Sequence, residues 1–196
     1  MPISTFREAQ ERYARIRRSV YDSVEQDLAN LNSVRVPVRL ADIDAHALEV
    51  RRATWVARHW SGSRGWNWDA LVTPVWRRPA GLPLAIWSGE RLAGLVVAHP
   101  SKRRRSGARH TLSVRCIEAD PDPGHPLRRL VVPLALFVSE RYGKSLGAER
   151  LRLIDPVPDL LPRYLKLGFA IAGRNGRRLY LERRIGSREL ESWEKL

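Results

Sequence analysis

The sequence of 196 residues predicts an α/β domain built on a mixed β-sheet. Two observations support this fold class. Segments with an apolar residue at every third or fourth position, the helical period, alternate along the chain with short apolar runs typical of strands. Two pairs of these runs are separated by turn residues, which indicates β-hairpins. The length is sufficient for a packed core and fits one domain, or one domain with an arm.

The first predicted element is a long amphipathic helix. Thr5 and Glu8 have the spacing of a capping box, in which each side chain satisfies the other residue's backbone donor. Apolar residues then recur in steps of three and four from Phe6 to Leu31, which corresponds to about seven turns. The polar face mixes both signs of charge, which favours docking on the core or a dimer contact over membrane binding. We therefore expect residues 1–33 to form an N-terminal helical extension.

Strands and a second helix follow. Residues 34–40 alternate with period two and predict a strand, and Pro37 favours a position at the edge of the sheet. Asp42 is the expected N-cap of a helix that extends to about His59. Three further runs are predicted as strands, of which the first two form a hairpin: 82–87, 92–98 and 111–119.

The second half of the domain begins after a rigid, proline-rich turn at residues 120–126. A helix is predicted from Leu130 to Leu146, ending at Gly147 in the left-handed conformation that commonly follows a helix. Asn175-Gly176 is a strong hairpin signal. The remaining predicted elements are a strand at 151–154, a helix at 158–166, and a hairpin of 169–172 and 178–184. This leaves a domain at 34–186 and a C-terminal tail at 187–196.

Residues 164–169 read Tyr-Leu-Lys-Leu-Gly-Phe and are followed by the second hairpin. This motif resembles the Tyr-x-x-x-Gly-Phe signature of the GNAT-family N-acetyltransferases. The order of strand, tight turn, helix and strand before it is also similar to that family, and the resemblance covers residues 34–184. It implies a GNAT-like mixed central β-sheet flanked by helices. It also implies an acetyl-CoA-dependent N-acyltransferase that acts on an amine acceptor.

The resemblance further implies where acetyl-CoA, the cosubstrate, would bind. In the family, the strand before the long helix separates from its neighbour and binds the pantetheine arm, a role that would fall here on Ile117 and Ala119. Independently of the family, the unpaired N–H groups and the dipole at the start of the following helix attract anions. The residues of the turn and helix start that would hold the diphosphate are Gly124, His125, Leu127, Arg128, Arg129 and Leu130.

One departure from the family pattern concerns this turn. The family's loop carries glycines that let the backbone approach phosphate closely, whereas residues 127–132 contain none. In one interpretation, Arg128 and Arg129 hold the phosphates, since guanidinium groups match phosphate oxygens in shape and charge. In the other, the acetyl-CoA site is degraded and the fold serves another purpose. The turn Gly124-His125-Pro126, directly before a helix start, favours the first interpretation.

Transfer of an acetyl group to an amine needs a base for the amine and an acid for the departing thiolate. The resemblance gives Tyr164 the role of acid, with a core tyrosine as the alternative. Glu118 lies where many family members carry a carboxylate that takes the amine proton through water; an outward-facing strand residue is the alternative. Strand alternation puts Glu118 on one face with Val114 and Cys116, and Asp120 is the reserve candidate. The assignment requires the carboxylate and the phenol to reach the same side of the sheet.

The acceptor site is predicted from the density of tryptophan. Trp66 and Trp68 follow a glycine-containing loop, where partly exposed rings could stack on a base, an aromatic side chain or an acyl group. Trp76 and Trp87 are expected in the core. Cys116, the only cysteine, is expected to be a buried apolar residue rather than a nucleophile. No spacing of histidines and carboxylates indicates a metal site.

The charge of the chain bears on the acceptor. A net charge of +14 comes from 35 Lys and Arg against 21 Asp and Glu. For the most basic run, residues 102–105, a solvated loop is favoured over a contact with a polyanion. The charge hints at an acceptor linked to nucleic acid, although a small amine stays open. The alternative functions are a non-catalytic nucleic-acid-binding module on the same fold, or an interaction module that forms a homodimer through the first helix.

The expected compartment follows from hydropathy. No apolar run reaches the roughly 20 residues of a membrane span, and the N-terminus lacks the apolar core of a signal peptide. We therefore expect a cytoplasmic protein that does not bind a membrane.

Overall fold

A computed structural model describes residues 5–30, 36–55, 66–101 and 110–186. The 3₁₀ turn Pro158–Leu160 precedes the last helix. The helices are α1 (Phe6–Ala29), α2 (Ala45–Thr54), α3 (Trp68–Trp76), α4 (Val131–Ser145) and α5 (Leu161–Lys166). The strands are β1 (Val38–Asp42), β2 (Leu82–Ser88), β3 (Arg91–Pro100), β4 (Thr111–Ala119), β5 (Arg150–Ile154), β6 (Ala170–Asn175) and β7 (Arg178–Arg184).

The strands form one mixed sheet in the order β1-β2-β3-β4-β5-β7-β6. Neighbouring strands are antiparallel except β4 and β5, which are parallel and are connected through α4. A parallel pair needs such a crossover, because its strands run in the same direction. The observed sheet, with helices on both faces, confirms the predicted fold class. It also confirms the position of β1 at an edge of the sheet.

Two apolar clusters cover the two faces of the sheet. On the face that we call the α4 face, α1 and α4 pack on alternate residues of the central strands, such as Val96 and Leu112. On the opposite face, which we call the α2–α3 face, those two helices pack on the residues in between, such as Leu95 and Val97. The central strands are therefore buried on both sides, which explains why β2 and β3 read as nearly continuous apolar runs.

Several local predictions are confirmed. The capping box is present: the Glu8 N–H donates to Thr5 Oγ1 at 3.2 Å, and the Thr5 N–H donates to Glu8 Oε2 at 2.8 Å. Gly147 follows α4 with a φ of +71°, and Gly176 turns the last hairpin with a φ of +58°. These two positions lie in the left-handed region that favours glycine.

Boundaries near the first strand differ from the prediction. β1 begins at Val38 and includes Asp42, so the predicted cap residue is part of the strand. The N-cap of α2 is Asp44, whose side chain accepts a hydrogen bond from the Ala47 N–H at 2.8 Å. α2 ends at Thr54, before the predicted His59, which lies outside the described residues. Period-two alternation does not fix the ends of a strand to within a few residues, and it does not tell which of two nearby aspartates caps the following helix.

The helix α3 was not expected from the sequence. It begins after Asn67, whose side chain accepts a hydrogen bond from the Ala70 N–H at 3.1 Å, and it contains Pro74. Proline disfavours a helix interior, so its presence argued against a helix here. The helix is nevertheless held by burial of Trp68, Val72 and Val75 against the sheet.

Candidate active site

The strands β4 and β5 separate at their carboxyl ends. β5 pairs with β4 only from Thr111 to Val114, while β4 continues to Ala119. Within the described part of the chain, residues 115–119 of β4 therefore have no strand partner on the β5 side. Crevices at the carboxyl ends of parallel strands are the usual ligand sites in open α/β sheets. We refer to this opening as the strand gap.

A β-bulge at Arg115 decides which way the end of β4 faces. Cys116 pairs with Val97 and Val114 pairs with Ala98, so Arg115 is the extra residue. Because a bulge interrupts the alternation, Val114 lies on the α4 face, whereas Cys116 belongs to the cluster on the α2–α3 face. The prediction that Val114, Cys116 and Glu118 share one face is therefore wrong. Glu118 lies on the α2–α3 face together with Cys116, and not on the α4 face with Val114.

Glu118 is held by two donors on the α2–α3 face. The indole Nε1–H of Trp68 and the Nη2 of Arg51, the latter at 3.3 Å, both donate to its Oε2 atom. Among the described residues, none donates to Oε1. The side chain of Glu118 is 15% exposed and that of Arg51 19%, so the ion pair is largely buried. One carboxylate oxygen is thus anchored and the other is not.

Arg51 connects several elements around this carboxylate. It projects from the last turn of α2, and its Nη2 also donates to the Trp66 carbonyl at 3.1 Å. Its guanidinium lies 5.7 Å from the ring centre of Trp55, within the range of a cation–π contact. The sequence analysis missed Arg51, because nothing in the local pattern of α2 indicates a partner 67 residues away.

Three basic side chains lie near the start of α4, two from the turn before it and one from α5. Arg128 and Arg129 are exposed, and their guanidinium groups contact no acceptor among the described residues. Arg163, which the sequence analysis missed although it precedes Tyr164 directly, donates from Nη2 to the Arg129 carbonyl at 2.7 Å. These three cations surround the positive end of the helix dipole, which adds to their attraction for an anion.

The backbone of this turn is already partly bonded. The N–H groups of Leu130 and Val131 both donate to the Leu127 carbonyl, at 2.8 and 3.0 Å, and the Arg128 N–H donates to the His125 carbonyl at 3.2 Å. Leu127 is fully buried and Leu130 half-buried in the core, whereas Gly124 is exposed. An anion at this turn would therefore meet guanidinium groups more than free backbone amides.

Three solved structures share this architecture. Aminoglycoside 6'-acetyltransferase type Ii matches with a TM-score of 0.55 and 16% identity, over 76% of this chain and 99% of that chain. A GNAT-family acetyltransferase from Listeria monocytogenes matches with a TM-score of 0.55 and 11% identity, over 79% and 98%. PaiA N-acetyltransferase from Thermoplasma acidophilum, in complex with coenzyme A, matches with a TM-score of 0.50 and 14% identity, over 75% and 98%.

The chain has the GNAT fold. No family model and no curated protein sequence matches it, so the similarity is one of fold alone. The fold predicted from the Tyr-x-x-x-Gly-Phe motif at residues 164–169 is confirmed. The strand gap and the start of α4 are thus features of a GNAT fold whose turn lacks glycines between residues 127 and 132.

Two features of this chain are compatible with the chemistry of acetyl-CoA. The unpaired end of β4, with Ile117 and Ala119 half-buried, offers backbone groups to an amide-containing arm. At the next turn, Arg128 and Arg129 offer charge to a diphosphate. These residues would hold the cosubstrate, which supplies an acetyl thioester when it is bound.

Tyr164 lies on the α4 face. It is buried in the apolar cluster, where its ring meets that of Phe169 edge-on at 6.2 Å. Burial raises the pKa of its phenol to about 12, while the neighbouring charge of Arg163 opposes this shift. The phenol therefore stays protonated at neutral pH, as an acid must. Tyr164 and Glu118 pack on opposite faces, so the expectation of a common side is wrong; the bulge at Arg115 is the reason.

The reserve candidate Asp120 is part of a turn. Its Oδ2 pairs with Arg91 at 2.7 Å, and its Oδ1 accepts the Asp122 N–H at 2.9 Å. Both oxygens are therefore occupied, in contrast to Glu118. The same turn lines a cleft of about 530 Å³ between α2 and the β2–β3 turn, with Val50 and Leu92 on its other walls. This cleft adjoins the end of β4 that carries Glu118.

His125 is buried in the turn before α4, and neither of its ring nitrogens has a hydrogen-bond partner among the described residues. Burial lowers its pKa, while the nearby carboxylate of Asp120 opposes this effect. The ring is therefore neutral near pH 7. A neutral ring with one N–H can donate a hydrogen bond but brings no charge to a diphosphate.

The burial of the tryptophans differs in part from the prediction. Trp87 is in the core as expected, but Trp76 is 41% exposed. Its Nε1–H donates to the Ile43 carbonyl at 3.1 Å, which holds the ring at the surface. Trp66 is half-buried, while Trp68 is only 1% exposed. Of the two predicted acceptor residues, Trp68 is thus buried in the core, and only Trp66 keeps part of its surface exposed.

The remaining sequence predictions concern the burial of Cys116, the basic run, a metal site and a membrane span. Cys116 is buried as expected, and burial raises its pKa to about 11. The basic run at residues 102–105 lies outside the described residues. In the described ranges, no three His, Cys, Asp or Glu side chains are grouped so as to hold a metal ion. None of the described helices is both long and apolar enough to cross a membrane.

Proposed function

We propose that the protein is an acetyl-CoA-dependent N-acyltransferase that acts on an amine acceptor. The observation that carries the proposal is the placement of Glu118 beside the strand gap, with its Oε2 anchored and its Oε1 without a donor among the residues that the structure describes. The GNAT fold and the basic start of α4 support it. The structural neighbours are acetyltransferases, and PaiA was solved with coenzyme A.

In this proposal Glu118 is the base and Tyr164 the acid. The new N–C bond forms as the C–S bond of the thioester breaks. The amine proton passes through water to Glu118, and the phenol proton of Tyr164 passes to the departing sulfur. The two groups pack on opposite faces of the sheet, so the common side expected from the sequence is replaced by another condition: the carboxylate and the phenol must each reach the thioester in the strand gap from its own face.

Acetyl-CoA binding is proposed at the end of β4 and at the start of α4. Ile117 and Ala119 would contact the pantetheine arm through their backbone. The diphosphate would meet Arg128 and Arg129, with Gly124 and His125 shaping the turn. Phosphate binding by side chains is favoured over a degraded site, because two exposed guanidinium groups with no acceptor in the described part of the chain lie directly before a helix start.

The acceptor is proposed to be an amine that approaches from the α2–α3 face, past Trp66. An acceptor linked to nucleic acid remains a prediction from the net charge of +14. A small amine is the other candidate. Residues 187–196 and any homodimer contact through α1 have no role in this proposal.

The proposal is tested by thermal unfolding and turnover. Millimolar acetyl-CoA should raise the Tm, since a ligand at 100 times its Kd stabilises the folded state by about 2.7 kcal/mol. Release of the CoA thiol is then followed with a thiol reagent, for which the buried Cys116 gives little background. The amine panel contains a polyamine, a peptide with a free N-terminus and an aminoacyl-tRNA. We expect turnover with at least one acceptor and a loss of 100-fold or more in Glu118→Gln, on the order expected for a general base.

An unchanged Tm with acetyl-CoA would contradict the proposal. If the protein instead binds random RNA or DNA with an affinity that falls steeply with salt, the alternative of a non-catalytic nucleic-acid-binding module is supported. The exposed cations at the start of α4 would then serve as phosphate contacts.

A further inference from the structure

We propose that Arg51 and Trp68 are positioning residues for Glu118: together they hold its Oε2 atom, so that Oε1 is the oxygen that takes the acceptor's proton. This inference rests on the proposed function and deepens it. It assigns a role to two residues that no local sequence pattern connects with Glu118.

The first support is the asymmetry of the hydrogen bonds. Both the Trp68 Nε1–H and the Arg51 Nη2 donate to the same oxygen, Oε2. Within the described ranges, Oε1 accepts none. The carboxylate of Asp120, in contrast, has a donor on each of its oxygens. The arrangement at Glu118 leaves one oxygen without a donor in the same part of the chain.

The second support is the rigidity of the two donors. Trp68 is 1% exposed and begins α3, so its ring cannot swing away without opening the α2–α3 cluster. Arg51 is fixed by its bond to the Trp66 carbonyl and by the ring of Trp55. A base held by buried, oppositely placed groups is pre-organised, which is a general requirement of an efficient site.

The third support is the local charge. The charged group that faces Glu118 from α2 is Arg51, and Trp68 from α3 carries no charge. From its own strand, the neighbouring titratable group is Cys116, whose thiol is protonated because burial raises its pKa to about 11. Leu95, its partner on β3, is apolar. Among the described residues, Arg51 is thus the charged group that contacts the Glu118 carboxylate.

The contact itself can be measured without turnover. In protein labelled with ¹⁵N-tryptophan, the indole resonance that is missing in Trp68→Phe is that of Trp68. We expect this resonance to lie at a different chemical shift in Glu118→Gln than in the wild type, because its N–H donates to the Glu118 carboxylate. The matched control is Trp76→Phe, which removes an indole N–H from the same helix but far from Glu118. A Trp68 resonance that ignores Glu118→Gln would overturn the proposal.

Kinetics then test positioning. Trp68→Phe should lower kcat/KM roughly tenfold, as expected when a hydrogen bond to a charged group is lost. Arg51→Gln should lower kcat/KM by a similar factor with little change in the KM for acetyl-CoA, and Arg51→Lys should restore part of it, because the cation holds the Oε2 atom. Arg52→Gln is the matched control, since Arg52 is the next residue, is 57% exposed and pairs with Asp69.

The outcomes separate the two proposals. Wild-type protein that transfers acetyl to none of the amines refutes the proposed function and, with it, this role. Active wild type with unchanged kcat/KM in Trp68→Phe and Arg51→Gln refutes the positioning role alone. Equal losses of kcat/KM in Arg51→Gln and Arg52→Gln also refute it, because they would report general charge rather than the Glu118 contact. A Tm and an acetyl-CoA affinity near those of wild type establish that each variant is folded.

Discussion

Arg17 in α1 and Asp42 in β1 form a bidentate ion pair that joins the first helix to the edge of the sheet. The Nε of Arg17 lies 2.8 and 2.9 Å from the two carboxylate oxygens, and its side chain is 7% exposed. Arg17 also donates to the carbonyls of Pro79 and Gly81, and the Tyr21 hydroxyl donates to Asp42 at 2.9 Å. The helix is therefore docked on the core, one of the two positions that its mixed polar face predicts.

Removal of Arg17 should destabilise the protein strongly. Arg17→Met removes the guanidinium donor of Asp42 and of two carbonyls, while Asp42 keeps the Tyr21 hydroxyl and is 38% exposed, so we expect a loss of about 2–3 kcal/mol in the free energy of unfolding. Urea unfolding measures it. Arg7→Met is the control, because its pair with Glu11 is exposed and should contribute no more than about 0.5 kcal/mol. Similar losses in both variants would show that the pair does not hold α1.

Stability should fall at alkaline pH. Burial raises the pKa of Tyr21 well above its usual value, and raises those of Tyr142 and Tyr164 to about 12. Between pH 10 and pH 12 the unfolded chain releases phenol protons that the folded protein keeps. Stability is therefore present below pH 10 and is lost as the pH rises toward 12, by at most about 1.4 kcal/mol per pH unit for each group. Urea unfolding at pH 8 to 11 should give a shallower slope in Tyr164→Phe than in wild type, and an identical slope would contradict the burial argument.

Tyr164→Phe also tests the proposed acid. The variant should lower kcat on the order of 100-fold, because no phenol proton reaches the departing thiolate. The KM for acetyl-CoA should stay near that of wild type, since the ring still packs against Phe169. Tyr13→Phe, a change on α1, is the control. A kcat that falls no more in Tyr164→Phe than in Tyr13→Phe would make Tyr164 a core residue, the alternative interpretation of the motif.

Arg128→Gln together with Arg129→Gln tests the diphosphate contact. The double variant should raise the KM for acetyl-CoA by roughly 10-fold or more, as expected for the loss of charge-assisted hydrogen bonds. With acetyl-pantetheine, which carries no phosphate, the same variant should behave like wild type. Steady-state kinetics with both donors provides the comparison. An equal loss with both would mean that the arginines act on the fold rather than on phosphate.

Part of the candidate site was accessible from the sequence because it lies within short motifs. Glu118 precedes a proline-rich turn and a helix start, and Tyr164 stands in a recognisable six-residue motif. The face of the sheet on which Glu118 lies could not be predicted from the sequence. It depends on the bulge at Arg115, which arises from the pairing of β4 with β3, a contact between residues far apart in the chain. Strand alternation carries no signal of such an inserted residue.

The amino-acid sequence by itself determined the features that depend on neighbouring residues: the capping box at Thr5, the left-handed turns at Gly147 and Gly176, and the GNAT-like motif around Tyr164. Each depends on the backbone preferences of a few adjacent residues. Tertiary structure alone decided that Arg51 and Trp68 meet Glu118, from positions 67 and 50 residues away in the chain. The physical reason is that a hydrogen bond between distant residues exists only after α2 and α3 have packed on the sheet, and no local preference encodes that packing.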